Sequence, residues 1–96
     1  MFARLTLLEG PPERYDDAVR TIREQALPGL REIPGLVASY IGFDRATGKA
    51  MGLSIFDTEE SLHTSEEVTE WLRKSSGEAA GAHVVAVERY EIVGHI

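Results

Sequence analysis

Four segments of the chain are apolar with few polar breaks, and this pattern predicts four strands. They cover residues 2–8, 36–43 and 49–56 and the closing segment HVVAVERYEIV, which begins at His83. Runs of this length, rich in branched and aromatic residues and bounded by Gly, Pro or Asp, are typical of β-strands. Gly48 can adopt the positive φ that a tight hairpin loop needs, so residues 36–43 and 49–56 are predicted to pair.

Between the strands, apolar residues recur at the three- and four-residue spacing of amphipathic helices. In the first helix these residues are Tyr15, Ala18, Val19, Ile22, Ala26, Leu27 and Leu30. This helix is predicted to end at or before Ile33, because Pro34 disfavours helical backbone in the residue that precedes it. Asp57 or Thr58 is predicted to cap a second helix that runs to about Lys74.

The predicted order of elements is strand, helix, strand, strand, helix, strand. No long linker divides the chain, so residues 1–96 are predicted to form a single domain. Two strand–helix–strand units with right-handed crossovers give a four-stranded antiparallel sheet with both helices on one face. The predicted fold class is therefore α+β, with the ferredoxin-like βαββαβ arrangement.

The strand LVASYIGF, residues 36–43, is mostly apolar on both of its faces. An antiparallel sheet with one wet face should instead alternate apolar with polar residues. Two helices cover only one face, and the chain has no other segment to cover the second. We therefore predict a homodimer in which two sheets pack face to face about a two-fold axis and form a dimeric α+β barrel.

Composition and charge exclude several classes of function. The net charge is −6, with 10 Lys and Arg against 16 Asp and Glu, which argues against binding to nucleic acid or to an anionic membrane surface. No apolar run approaches the about 20 residues of a membrane-spanning helix. The chain has no cysteine, which excludes a thiol nucleophile and a zinc–thiolate site. We expect a cytoplasmic protein.

Four motifs lie along the predicted elements: LPGLREIPGL at the end of the first helix, VASYIGFD in the second strand, FDTEESLHTSEE at the start of the second helix and VVAVERYEIV in the last strand. Together they resemble the antibiotic biosynthesis monooxygenase-like proteins of the dimeric α+β barrel superfamily, over nearly the whole chain. The resemblance implies a cofactor-independent monooxygenase-like protein that acts on a small aromatic or polyketide-type compound. The alternative is a non-catalytic dimeric module that binds a small ligand or a protein partner.

The resemblance also bears on cofactors. The haem-degrading branch of the superfamily resembles this chain in plan, and it uses an Asn on the first strand and a Trp and a His on the second helix. This chain contains no Asn, and its first strand carries Thr6 and Leu7 instead. Trp71 lies late on the second helix, and no His follows at the expected spacing. We therefore expect no haem and no other cofactor.

Small residues in the hairpin predict a ligand pocket. If Phe43 lies opposite Lys49, one face of the hairpin carries Leu36, Ala38, Tyr40, Gly42, Ala50, Gly52, Ser54 and Phe56. The small side chains among them either let a helix pack close to the sheet or leave a cavity for a small hydrophobic or aromatic ligand. The cavity interpretation predicts four ligand-binding residues: Tyr40, Phe56, His63 and Trp71.

His63 is the candidate catalytic acid or base, because an imidazole titrates near neutral pH. Glu60 and His63 also have Glu-x-x-His spacing, but a di-metal site needs two such motifs, so we expect no metal. Arg4 interrupts the apolar first strand and needs a charged partner within the sheet. Glu88 on the neighbouring last strand is the predicted partner, in a structural ion pair.

Overall fold

A computed structural model describes the backbone of residues 1–96 and every side chain except those of Arg73 and residues 75–80. Its four strands are β1 (Phe2–Glu9), β2 (Leu36–Phe43), β3 (Lys49–Phe56) and β4 (His83–Glu91). All neighbouring strands are antiparallel, and their order in the sheet is β2–β3–β1–β4. This order confirms the ferredoxin-like α+β fold.

The first helical segment covers residues 12–31 and changes its winding along the way. It consists of a 3-10 turn (Pro12–Arg14), α1 (Tyr15–Thr21), a π-helical turn (Ile22–Ala26) and α2 (Leu27–Arg31). Pro28 has no N–H to donate to a carbonyl one turn earlier, and the wider π-turn lies directly before it. The segment ends before Pro34, as predicted.

The second helical segment consists of α3 (Glu59–Thr64) and α4 (Glu66–Ala80). The Thr58 hydroxyl accepts a hydrogen bond from the Ser61 N–H at 3.0 Å, which confirms the predicted cap. The predicted end at Lys74 is wrong, because the helix continues until Gly81, whose φ of +74° ends it. Over the described residues, no helix has the length and apolar character needed to cross a membrane.

The predicted register of the β2–β3 hairpin is wrong by one residue. Phe43 lies opposite Ala50 rather than Lys49. The loop closes one position further on, where the Asp44 N–H donates to the Lys49 carbonyl at 2.8 Å. Because side chains alternate between the faces of a strand, this shift exchanges the two faces of β2 over residues 38–43 relative to the prediction. Leu36 still lies opposite Phe56, because the pairing is irregular between Leu36 and Ala38.

Both helical segments pack on one face of the sheet, which we call the helix face. The core on this side contains Leu30, Ile33, Phe56, Leu62 and Leu72. We call the other side the open face, and it carries Leu5, Leu7, Tyr40, Leu53, Ile55 and Tyr90. No described helix covers the open face, where Tyr40 is 61% exposed. The predicted homodimer would cover it, and that assembly stays a prediction.

Candidate ligand-binding site

A cavity of about 110 Å³ lies between the helix face and the helical segments, and it is partly open to solvent. Its described lining is predominantly apolar. A dry engineered cavity of about 150 Å³ is large enough to bind benzene. The present cavity therefore has room for much of one aromatic ring, with the rest of a larger ligand extending through the opening.

Small residues on β3 create the cavity. Ala50, Gly52 and Ser54 all line it, and a Cβ placed on Gly52 would meet no atom within 4 Å. These positions confirm the part of the predicted small-residue stripe that lies on β3. Ala38 and Gly42, the predicted members on β2, lie opposite Ile55 and Met51 instead, because the register differs by one residue.

The floor of the cavity consists of three rows of residues that lie opposite one another on β1, β3 and β2. From the polar end to the apolar end, the rows are Arg4–Ser54–Ser39, Thr6–Gly52–Ile41 and Leu8–Ala50–Phe43. Each row contains one residue from each of the three strands, and the rows become less polar from the first to the third. Such a gradient suits a flat ligand that has a polar group at one end.

Arg4 anchors the polar end of the floor and is only 1% exposed. Its Nη2 donates to the Leu62 carbonyl at 2.7 Å and to Ser65 Oγ at 3.1 Å. The same atom lies 3.2 Å from Glu66 Oε1, and the guanidinium carbon lies 5.2 Å from the centre of the Phe56 ring. These contacts hold a buried positive charge in place beside the cavity.

Glu66 joins Arg4 to a second arginine, Arg89. Arg89 donates two hydrogen bonds to the Glu66 carboxylate, from Nε to Oε1 at 2.5 Å and from Nη2 to Oε2 at 2.9 Å. The Arg89 hydrogen bond, together with the charge of Arg4, lowers the pKa of Glu66 to about 2 against the desolvation that raises it. The carboxylate is therefore ionised at neutral pH. These three side chains form the charge cluster, in which two guanidinium groups outweigh one carboxylate.

The predicted ion pair between Arg4 and Glu88 is wrong. Arg4 lies opposite Arg89, so the adjacent Glu88 points to the open face, because successive side chains of a strand alternate. There its carboxylate accepts a hydrogen bond of 2.9 Å from the Tyr90 hydroxyl. This bond raises the pKa of Tyr90. The ion pair of Arg4 is formed instead with Glu66 on a helix.

The structure does not bring the four predicted ligand-binding residues together. Tyr40 lies on the open face, and Phe56 is fully buried beneath Arg4. His63 Nε2 lies 3.5 Å from Glu59 Oε1, and both side chains are more than half exposed. Trp71 is 65% exposed on α4. None of the four belongs to the described cavity lining, and their role in binding stays a prediction.

The polar residues that do line the cavity were not among the four predicted ligand-binding residues. These are Thr6, Ser39, Ser54 and Thr69, together with Arg4. The available signal was a polar side chain inside an otherwise apolar strand. That signal is visible for Thr6. Ser39 and Ser54 are recognised only as small residues until the register of the sheet shows that they lie opposite each other.

Comparison with known sequences identifies a relative without indicating its function. No model of a known protein family matches the chain. An uncharacterised protein of Mycobacterium tuberculosis is 28% identical over 92 residues, which are 96% of this chain and 41% of that protein. The chain thus spans about two fifths of the length of this curated relative.

Comparison with solved structures identifies the fold. HapK from Hahella chejuensis has a TM-score of 0.78 at 11% identity, over 99% of this chain and 95% of HapK. A monooxygenase from the gene ActVA-Orf6 of Streptomyces coelicolor, solved in complex with nanaomycin D, has a TM-score of 0.73 at 13% identity, over 99% of this chain and 89% of that protein. A further neighbour, an antibiotic biosynthesis monooxygenase, has a TM-score of 0.69 at 18% identity, over 98% of this chain and 100% of that protein. The chain therefore has the fold of the antibiotic biosynthesis monooxygenase-like proteins.

Proposed function

We propose that the chain is a cofactor-independent monooxygenase-like protein that takes a small aromatic or polyketide-type compound into the cavity. The observation that carries the proposal is the cavity itself, which is apolar, partly open and polar at one end. The Streptomyces coelicolor monooxygenase with this fold holds nanaomycin D. A flat ligand in the present cavity would lie across Gly52, where the floor has no side chain.

In this chemistry, a deprotonated, electron-rich substrate reacts directly with molecular oxygen. An anthrone, for example, loses two hydrogens from its methylene carbon and gains one oxygen atom there, and the second oxygen atom leaves as water. The protein contributes a cavity that excludes bulk water and a fixed charge that stabilises the substrate anion. Here the charge cluster carries a net positive charge next to the polar row, which favours ionisation of a bound phenol.

One observation favours a second candidate function. Among the described lining residues there is no carboxylate and no imidazole, so none of those side chains is an evident general base. A non-catalytic dimeric module that binds a small hydrophobic ligand needs no such group. In that function the same cavity holds the ligand without turnover.

We also propose that a second copy of the chain covers the open face. Large apolar residues such as Leu53 and Ile55 lie at the centre of this face, and Tyr40 stands exposed beside them. In an antiparallel sheet with one face exposed to solvent, the strands usually carry polar residues on that exposed face. A two-fold axis through the face buries the same apolar patch on both copies.

A comparison of two variants tests the proposed function. Gly52→Leu fills the cavity, whereas Gly94→Leu adds the same side chain near the carboxyl terminus, where a Cβ also meets no atom within 4 Å. We expect binding of anthrones and hydroxylated quinols, followed by NMR, to be lost only in Gly52→Leu. Oxygen uptake that disappears with it supports the monooxygenase, and binding without uptake supports the module. If the wild-type protein binds none of these compounds, both functions are rejected.

A further inference from the structure

Thr6 is a buried residue that carries a hydroxyl group beside the cavity. Thr6 is 5% exposed and lines the cavity. Among the described residues no hydrogen bond involves this hydroxyl, and its oxygen is not one of the fully buried polar atoms that lack a partner. The residue opposite Thr6 is Gly52, so no neighbouring side chain on β3 fills the space beside it. Because Thr6 lines the cavity, a hydroxyl without a protein partner at this position is available to a ligand.

Two serines in the adjacent polar row place a second hydroxyl donor close to Thr6. The Oγ atoms of Ser39 and Ser54 lie 3.1 Å apart, and either one can be the donor. Their hydrogen bond uses one of the two hydroxyl hydrogens, so the other hydrogen is available. Ser54 is diagonal to Thr6 across the β1–β3 pair, and the Cα atoms of such neighbours are about 7 Å apart. One ligand oxygen can therefore accept from both sides.

The charge cluster lies at the same end, because Arg4 occupies the polar row with Ser54 and Ser39. Its net positive charge favours an oxygen that carries negative charge over a neutral or positively charged group. Toward the other end, the floor changes to Leu8, Ala50 and Phe43, which provide only apolar contacts. Hydroxyl donors and positive charge thus converge at one end of an apolar cavity.

We propose that Thr6 and the Ser39–Ser54 pair form an oxygen-binding subsite that selects flat aromatic ligands with a phenolic or carbonyl oxygen at one end. This inference rests on the proposed function, since it assumes that the cavity takes an aromatic ligand. The oxygen accepts hydrogen bonds from Thr6 and the serine pair, and the ring extends over Gly52 toward Phe43. Thr6 is a specificity-determining residue in this arrangement.

The test measures the affinities of 1-naphthol and naphthalene by titrating the ¹⁵N-labelled protein and following the Gly52 amide signal. In Thr6→Val the side chain keeps its shape but loses the hydroxyl, so the preference for naphthol over naphthalene should fall about three- to tenfold. Thr6→Ser should restore it. Thr69→Val is the matched control, because the Thr69 hydroxyl lines the same cavity but already donates to the Ser65 carbonyl at 2.8 Å.

The outcomes separate the two levels of the proposal. A preference that falls in Thr6→Val but not in Thr69→Val supports the subsite. If both probes shift the Gly52 signal and the preference is the same in Thr6→Val as in the wild type, the subsite is refuted and the proposed cavity stands. An equal fall in both variants also refutes the subsite. If neither probe shifts the Gly52 signal, the cavity takes no aromatic ligand and both proposals fail.

Discussion

On β3, Ala50, Gly52 and Ser54 line the cavity under the helices, whereas Leu53 and Ile55 lie on the open face. A monomeric domain usually has the opposite distribution, with large apolar residues under the helices and polar residues outside. Here the residues on the covered face near the cavity are small and partly polar, and those on the uncovered face are large and apolar. The comparison indicates that the helix face leaves room for a ligand while the open face is suited to association.

The largest expected effect concerns association through the open face. Tyr40→Asp places a charge on each copy at the proposed two-fold interface, so we expect it to weaken the dimer by about 3 kcal/mol or more. Trp71→Asp is the control, because Trp71 is an equally exposed aromatic residue on α4. Sedimentation at micromolar concentration should show a folded monomer for Tyr40→Asp and a dimer for Trp71→Asp. A Tyr40→Asp protein that remains dimeric would refute the interface.

The next effect concerns the charge on the helix face. Glu66→Leu leaves the buried Arg4 guanidinium without its carboxylate, and we expect the free energy of unfolding to fall by about 2–3 kcal/mol. This is below the cost of breaking a fully buried pair, because the Glu66 side chain is 28% exposed. Glu67→Leu, at an exposed neighbouring position, should change it by less than about 0.5 kcal/mol. Urea unfolding measures the change in the free energy of unfolding for both variants. Equal changes would show that the buried Arg4 charge does not need the Glu66 carboxylate for stability.

The same carboxylate should make stability depend on acid. The folded-state pKa of Glu66 is about 2, below its ordinary value of 4.5, so its stabilising contribution is complete above pH 4.5 and disappears as the pH falls through about 2. We expect this contribution to be about 1–2 kcal/mol at neutral pH, because partial exposure screens it. Urea unfolding from pH 7 to pH 2 should show a smaller loss of stability for Glu66→Gln than for the wild type. Parallel pH profiles would contradict this assignment.

The smallest expected effect concerns the empty space over Gly52. Gly52→Ala adds a methyl group that meets no atom within 4 Å and reduces the freedom of the unfolded chain, so it should stabilise the protein by about 0.4–1 kcal/mol. On the open face, a Cβ at Gly42 would contact Met51 at 3.6 Å. Gly42→Ala is therefore the comparison. Thermal unfolding should show a gain for Gly52→Ala, and a loss would mean that the cavity is closed in solution.

Local signals along the chain were sufficient for the order of the elements. Thr58 caps α3 through its own hydroxyl, and Gly48 adopts a φ of +78° in the hairpin loop. Each of these features depends on atoms within a few residues of one another. The apolar character of both strand faces is likewise a property of the sequence. Together they predicted the ferredoxin-like fold and the uncovered face without any knowledge of tertiary contacts.

The composition of the site depended on tertiary structure. One residue of register moved Tyr40 from the predicted pocket to the open face and brought Ser39 into the cavity, because strand side chains alternate with a period of two. Arg4 found its partner 62 positions away, on α4. The sequence alone shows that a charge in the sheet needs a partner and that small residues leave space. Only the packing of the helices on the sheet decides which carboxylate forms the ion pair with that charge and which side chains line the cavity.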